Sequence, residues 1–164
     1  MKKRAGILIL VQLVSVMGTL LFMAAMLDGM DGVRNVFFCL YDTVTIVLLL
    51  VVALPSMLVH GIWKDFFRVF QLGKSDRHFS LCEIKKTLLA IELLQKQIIY
   101  GTVMIVGVYT VILMMYMDEP GAIGPNLAVD LASLIYMAIA LLFVEPLKVY
   151  TQRYLEDYLA EEED

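Results

Sequence analysis

Charge is scarce in this chain, and so are the residues that staple or break up soluble domains. Asp, Glu, Lys and Arg make up 18% of its 164 residues, against about a quarter in ordinary soluble domains. Two cysteines, Cys39 and Cys82, are too few for a disulfide framework. His60 and His78 have no Cys or carboxylate companions at metal-ligand spacing, so neither a metal nor a cofactor is expected. Glycine-rich phosphate loops and nucleophile–base groupings are missing too, and nothing in the chain reads as an enzyme. The net charge of −4 comes largely from the tail Glu161-Glu162-Glu163-Asp164, and no nucleic-acid partner is expected.

What the chain has in excess is apolar surface. Some 60% of its residues are apolar, where a soluble domain has about 45–50%. Four segments reach the roughly 18–20 apolar residues that span a bilayer. They are Ala5–Leu27, Val36–Leu58, Ile98–Met117 and Leu127–Val144, the second interrupted by Asp42 and the fourth by Asp130. The expected fold is therefore all-α: a polytopic membrane protein with four transmembrane helices and the lipid bilayer as its surroundings.

The basic residues orient it. Lys2, Lys3 and Arg4 precede the first span. Lys64, Arg68, Lys74, Arg77, Lys85, Lys86 and Lys96 lie between spans two and three, and Lys148 and Arg153 follow span four. Of the 13 Lys and Arg only Arg34 falls in either of the remaining loops. By the positive-inside rule both termini and the central loop are cytoplasmic, and Asp28–Asn35 and Asp118–Asn126 are outside. Cys39 and Cys82 then lie on opposite sides of the membrane and cannot bridge within one chain. The first apolar run, about 23 residues, is long for a signal-peptide core and reads as a retained helix.

Four regions follow. Residues 1–60 form a first transmembrane hairpin, 61–97 a short cytoplasmic loop, 98–146 a second hairpin, and 147–164 a cytoplasmic acidic tail. In the loop, Trp63, Phe66, Phe67 and Phe70 repeat at helical spacing with Lys64, Asp65 and Arg68 between them. That pattern predicts an amphipathic interfacial helix with its aromatics inward, ended by a turn at Gly73-Lys74-Ser75-Asp76. Ser80-Leu81-Cys82-Glu83 has the form of a capping box. With no Pro or Gly before Gly101, it predicts one long helix from Ser80 through Met117. Span four is expected to continue likewise along Tyr150, Tyr154, Leu155, Tyr158 and Leu159, so that helices three and four both extend into the cytoplasm. There Lys85-Lys86 would face the acidic tail. Pro120-Gly121 predicts a turn, Gly124-Pro125 a helix start with Pro at its first position, and Pro146 a kink at the inner end of span four.

Asp42 and Asp130 are the most informative residues. A carboxylate in the middle of a span costs roughly 2.5–3.5 kcal/mol on insertion scales, and no intramembrane Lys or Arg neutralises either. Depth along each span puts both in the outer half, level with Thr19, Thr110 and Ser133, while Gln12 and Thr102 fall in the inner half. For the hydroxyl residues, ordinary interhelical hydrogen bonding is a sufficient explanation. For the aspartates it is not.

The stretch Met117-Asp118-Glu119-Pro120-Gly121-Ala122-Ile123-Gly124-Pro125-Asn126-Leu127-Ala128-Val129 resembles the junction of the third and fourth helices in MotA flagellar stator proteins. The resemblance continues through Leu131, Tyr136 and Phe143 to Pro146, and more weakly at Ala53-Leu54-Pro55 and Phe66-Phe67-Arg68-Val69-Phe70. It implies the MotA/TolQ/ExbB proton-channel family: bacterial inner-membrane subunits that form a homopentameric ring around two copies of a single-span partner of the MotB, ExbD or TolR kind. In that family protons or sodium ions cross at an acidic residue of the partner and drive movement. The resemblance places Ser133, Thr110 and Asp130 near the ion path and gives Tyr136, Pro146, Gly124 and Pro125 structural roles. This chain departs from the pattern in four ways, the first being that the proline and Gly-Thr pair opening the family's third helix are missing around Ile99 and Val106. Ser133-Leu134 stands where the family has paired threonines, the cytoplasmic domain is reduced to Gly61–Gln97, and Asp130 replaces a small apolar residue. Two other readings remain open: a non-conducting membrane scaffold of the same fold, and a small proton-coupled transporter using Asp42 and Asp130 itself.

Overall fold

The computed structural model describes residues 6–22, 26, 43–59, 61–72, 79–115 and 120–163. Asp42, Cys39, both histidines, both outer loops apart from residues 120–126, and the Gly73–Asp76 turn lie outside them. Among the described residues every regular element is a helix. In chain order these are α1 (Gly6–Phe22), α2 (Thr43–Val59), α3 (Trp63–Arg68), α4 (Leu81–Met115) and α5 (Pro120–Glu163).

The capping box forms as its sequence predicts. The Ser80 backbone N–H donates to Glu83 Oε2 at 3.0 Å, and the Glu83 N–H reaches back to Ser80 Oγ at 3.4 Å. From that cap α4 runs 35 residues without a break, because nothing in it removes a backbone donor. The far end of the hairpin differs from expectation. The helix begins at Pro120, and Gly124-Pro125 lies inside its first turns. A proline at the first helical position sacrifices only an N–H that has no helical partner anyway, and its fixed φ suits the helix. The same argument that points to Pro125 thus applies one turn earlier. The 44-residue α5 continues through Pro146 into the acidic tail, so the tail is the end of that helix.

Gly61 carries the reversal between α2 and α3, with φ at +64°. Its N–H donates to the Leu58 carbonyl and the Ile62 N–H to that of Met57, both at 3.1 Å. This pair of bonds is a Schellman closure, which satisfies the last carbonyls of α2 and favours a residue without a Cβ. It is a stop signal that the hydrophobic pattern does not display.

Packing concentrates where the start of α4 meets the end of α5. Val69, Leu72, Phe79, Ile84, Ile91, Val144, Leu147 and Tyr150 form one buried cluster, with Phe66, Phe70, Tyr154 and Tyr158 packed on it. The aromatic stripe after α2 therefore splits. Helix α3 ends at Arg68, and a turn carries Phe70 inward beside Phe66. Trp63 and Phe67 stay 39% and 44% exposed. Tyr150 Oη donates to the Leu72 carbonyl at 3.0 Å and ties this turn to α5. Arg68 bonds Asp65 at 2.6 Å and approaches Glu83, joining α3 to the start of α4. Lys85 and Lys86 are exposed. The ion pair seen between the two extensions joins Lys148 to Glu92 at 3.4 Å.

Helices α4 and α5 are each long and apolar enough to cross a membrane; the described parts of α1 and α2 are apolar but shorter. On α4, Tyr100, Val103, Met104, Val108, Val111 and Met114 are each more than half exposed, whereas Thr102 is fully buried. An outward apolar face with polar groups turned inward inverts the usual arrangement of a water-soluble domain.

Candidate functional site

Helix α5 meets α4 along one stripe. Asp130, Ser133, Met137, Ala140, Val144, Leu147, Thr151, Tyr154 and Tyr158 alternate in steps of three and four, and each is buried or half-buried. On α4 the buried residues Ile84, Thr87, Ile91, Gln95, Thr102 and Ile105 follow the same rhythm. A stripe repeating every seven residues is the seam of two helices wound gently around each other. Three polar pairs fix its register. Thr110 meets Asp130, Gln95 meets Glu145 and Glu92 meets Lys148. The same number of residues separates Gln95 from Thr110 as separates Asp130 from Glu145, so the antiparallel pairing runs from end to end without a slip.

The outer pair is the candidate site. Asp130 is 7% exposed, and its Oδ2 accepts a hydrogen bond from Thr110 Oγ1 at 3.2 Å. Its Oδ1 is buried and has no hydrogen-bond partner among the described residues. An oxygen left in that state costs about 1–3 kcal/mol, more when charged. A proton or a cation arriving at Oδ1 would relieve that penalty.

The other polar residues divide differently from their predicted depths. Ser133 is fully buried one turn along α5, but its hydroxyl donates to the Val129 carbonyl at 3.0 Å and not to Asp130. Thr102 likewise donates to Ile98, Thr87 to Glu83 and Thr151 to Leu147, each to the carbonyl one turn back. These hydroxyls are satisfied by their own helices, which is how threonine sits in an apolar seam at little expense. Thr19 leaves the layer altogether: it is exposed on α1 and bonded to the Ser15 carbonyl at 2.8 Å. Tyr136 and Pro146 are half-buried on α5, and Gly124 is exposed near its start.

A second polar station, which the hydropathy pattern does not reveal, lies at the inner end of the seam. Gln95 Nε2 donates to Glu145 Oε2, beside the Glu92–Lys148 pair. Glu145 immediately follows the apolar run of span four, where a carboxylate looks like a simple boundary residue. The two stations are roughly 22 Å apart along α5. Between them the hydroxyls of Thr102 and Ser133 point back to their own backbones.

Among the described residues no group of three or more His, Cys, Asp or Glu side chains is arranged to hold a metal ion. Cys82 is exposed, with a free thiol. No protein-family model matches the chain, and no curated protein or solved structure is significantly similar to it.

Proposed function

We propose that this chain is a multi-pass subunit of an ion-driven membrane complex of the MotA/TolQ/ExbB type, with four spans and both termini in the cytoplasm of a bacterial inner membrane. Copies of the chain would surround a single-span partner, and proton or sodium flow past Asp130 would move that partner. The observation that carries this reading is the buried carboxylate of Asp130, half-satisfied by Thr110, in a helix otherwise apolar enough to span a membrane. Intramembrane carboxylates are costly and mark ion paths far more often than they serve as packing. The order of motifs from Met117 to Pro146 points to the same family.

The test is proton and sodium flux into liposomes carrying the chain with a candidate single-span partner that has a membrane-embedded Asp. Flux that disappears in Asp130→Asn supports the proposal. Flux unchanged by that substitution, or a stable monomer in mild detergent, overturns it. No flux in the parent complex assigns the fold to a scaffold.

One observation favours a second reading. The unpartnered Asp130 Oδ1 belongs to this chain and not to a partner, as a small proton-coupled transporter would require. Flux from the chain alone would decide for that reading.

A further inference from the structure

The inner ends of α1, α4 and α5 enclose a groove of about 1700 Å³. Sites for small molecules are usually about 300–1,000 Å³, so this one has room for a larger guest. Its lining changes character along its length. Ile99 and Leu142 line the end nearer the apolar spans and Arg153 and Asp157 the end nearer the helix tips, while Lys96, level with Val144 in the seam register, lies between them with Glu145 as a neighbour. Along α5 the two ends are roughly 22 Å apart.

The polar end carries both signs of charge. Lys148 is already neutralised by Glu92. Lys96 and Arg153 are exposed and make no ion pair among the described residues, and the same holds for Glu156 and Asp157. Gln12 adds a further polar group. It is half-buried in the apolar α1, lines the groove, and makes no hydrogen bond among the described residues. A purely anionic guest would be repelled by the carboxylates, and a purely cationic one by Lys96 and Arg153. A guest carrying phosphate and ammonium together satisfies both.

We infer that this groove binds one amine-bearing zwitterionic phospholipid of the phosphatidylethanolamine class. Its phosphate lies between Lys96 and Arg153, its ammonium against Glu156 and Asp157, and its acyl chains along Ile99 and Leu142. A primary ammonium donates three hydrogen bonds to carboxylates, which a quaternary choline cannot do. The inference rests on the membrane part of the reading above and is independent of ion conduction.

The test uses the full chain, delipidated in mild detergent and re-exposed to phosphatidylethanolamine, phosphatidylcholine or phosphatidylglycerol, with bound lipid counted by native mass spectrometry. Phosphatidylethanolamine is retained roughly tenfold or more over the other two, and the double variant Lys96→Gln/Arg153→Gln loses that preference. Both positions are exposed, and unchanged helicity by circular dichroism verifies that the variant is folded. Soluble glycerophosphoethanolamine does not compete at equal concentration. Equal retention of the three lipids, an unchanged preference in the variant, or full competition by the head group alone overturns the inference. So does a lipid-free dimer, which would assign the groove to a second copy. Alkaline carbonate extraction separates the two failures: release of the chain from membranes defeats the membrane reading, whereas loss of lipid selectivity in a chain that stays embedded defeats only this one.

Discussion

Thr110 and Asp130 meet across the α4–α5 seam, and the hydroxyl serves only one of the two carboxylate oxygens, at 3.2 Å. The other oxygen is buried without a partner among the described residues. On the proposed ion path, function and stability would pull in opposite directions at this position. Asp130→Leu should raise the melting temperature in detergent, since exchanging a poorly compensated buried polar group for an apolar one stabilises by about 1 kcal/mol or more. The same variant should conduct no ions. Thr110→Val, which strips the carboxylate of its one partner, should lower stability by roughly 0.6 kcal/mol. A lower melting point for Asp130→Leu would mean that the carboxylate is a structural anchor.

The tie between α5 and the turn after α3 depends on one hydroxyl. Tyr150 is 9% exposed and bonds the Leu72 carbonyl at 3.0 Å. Tyr150→Phe keeps the ring and leaves that carbonyl short of its donor, at an expected loss of about 1–3 kcal/mol in thermal unfolding. Tyr154→Phe, one turn further along and only half-buried, should cost less than half as much. Equal losses would show that the bond to the Leu72 carbonyl adds nothing beyond an ordinary tyrosine hydroxyl.

Two glycines should respond to substitution for different reasons. Gly61→Ala adds a Cβ that meets nothing within 4 Å, so its cost is the left-handed backbone alone, about 1–2 kcal/mol. At Gly101 a Cβ would stand 3.0 Å from Val52 Cγ1, where α4 approaches α2. Gly101→Leu should therefore cost about 1–3 kcal/mol, and Val52→Ala should restore part of it. No rescue by Val52→Ala would place the difficulty elsewhere on the helix.

Acid should loosen the start of α4. The Ser80 backbone N–H, then its hydroxyl, hold the Glu83 carboxyl below its ordinary value of 4.5, against a smaller opposition from desolvation and with the least help from Arg68 and Lys86. A carboxyl whose pKa is lower when folded stabilises the folded state above its unfolded pKa and loses that contribution as pH falls through the folded value. Unfolding followed from pH 6 to pH 3 should show an acid limb that is shallower in Glu83→Gln. Ser80→Ala should be less stable at neutral pH by about 1 kcal/mol, the usual cost of a lost helix cap. An identical acid limb in both proteins would exclude Glu83 as a contributor.

Residues that act within one turn of their own helix are legible in the sequence alone. The capping box, the unbroken run behind it and the Tyr150–Tyr158 stripe all declare themselves through spacing of three or four residues. The start of α5 is harder to place, because Pro120 and Pro125, little more than one turn apart, satisfy the same local rule. Deciding between them requires knowing where the preceding helix lets go. The Schellman closure at Gly61 is hidden for another reason: its signal is a backbone angle, which composition does not display.

By itself the sequence determined that this protein is helical, where its two longest helices run, and that a carboxylate stands among apolar residues in the second of them. Each follows from interactions between near neighbours on the chain: hydropathy, capping and the absence of breakers. The tertiary structure alone decided that Asp130 answers to Thr110 and not to Ser133, that Gln95 finds Glu145, and that Lys148 rather than Lys85 or Lys86 pairs across the seam. A helix shows several faces, and which one is buried depends on the register against a partner helix that one-dimensional spacing does not contain.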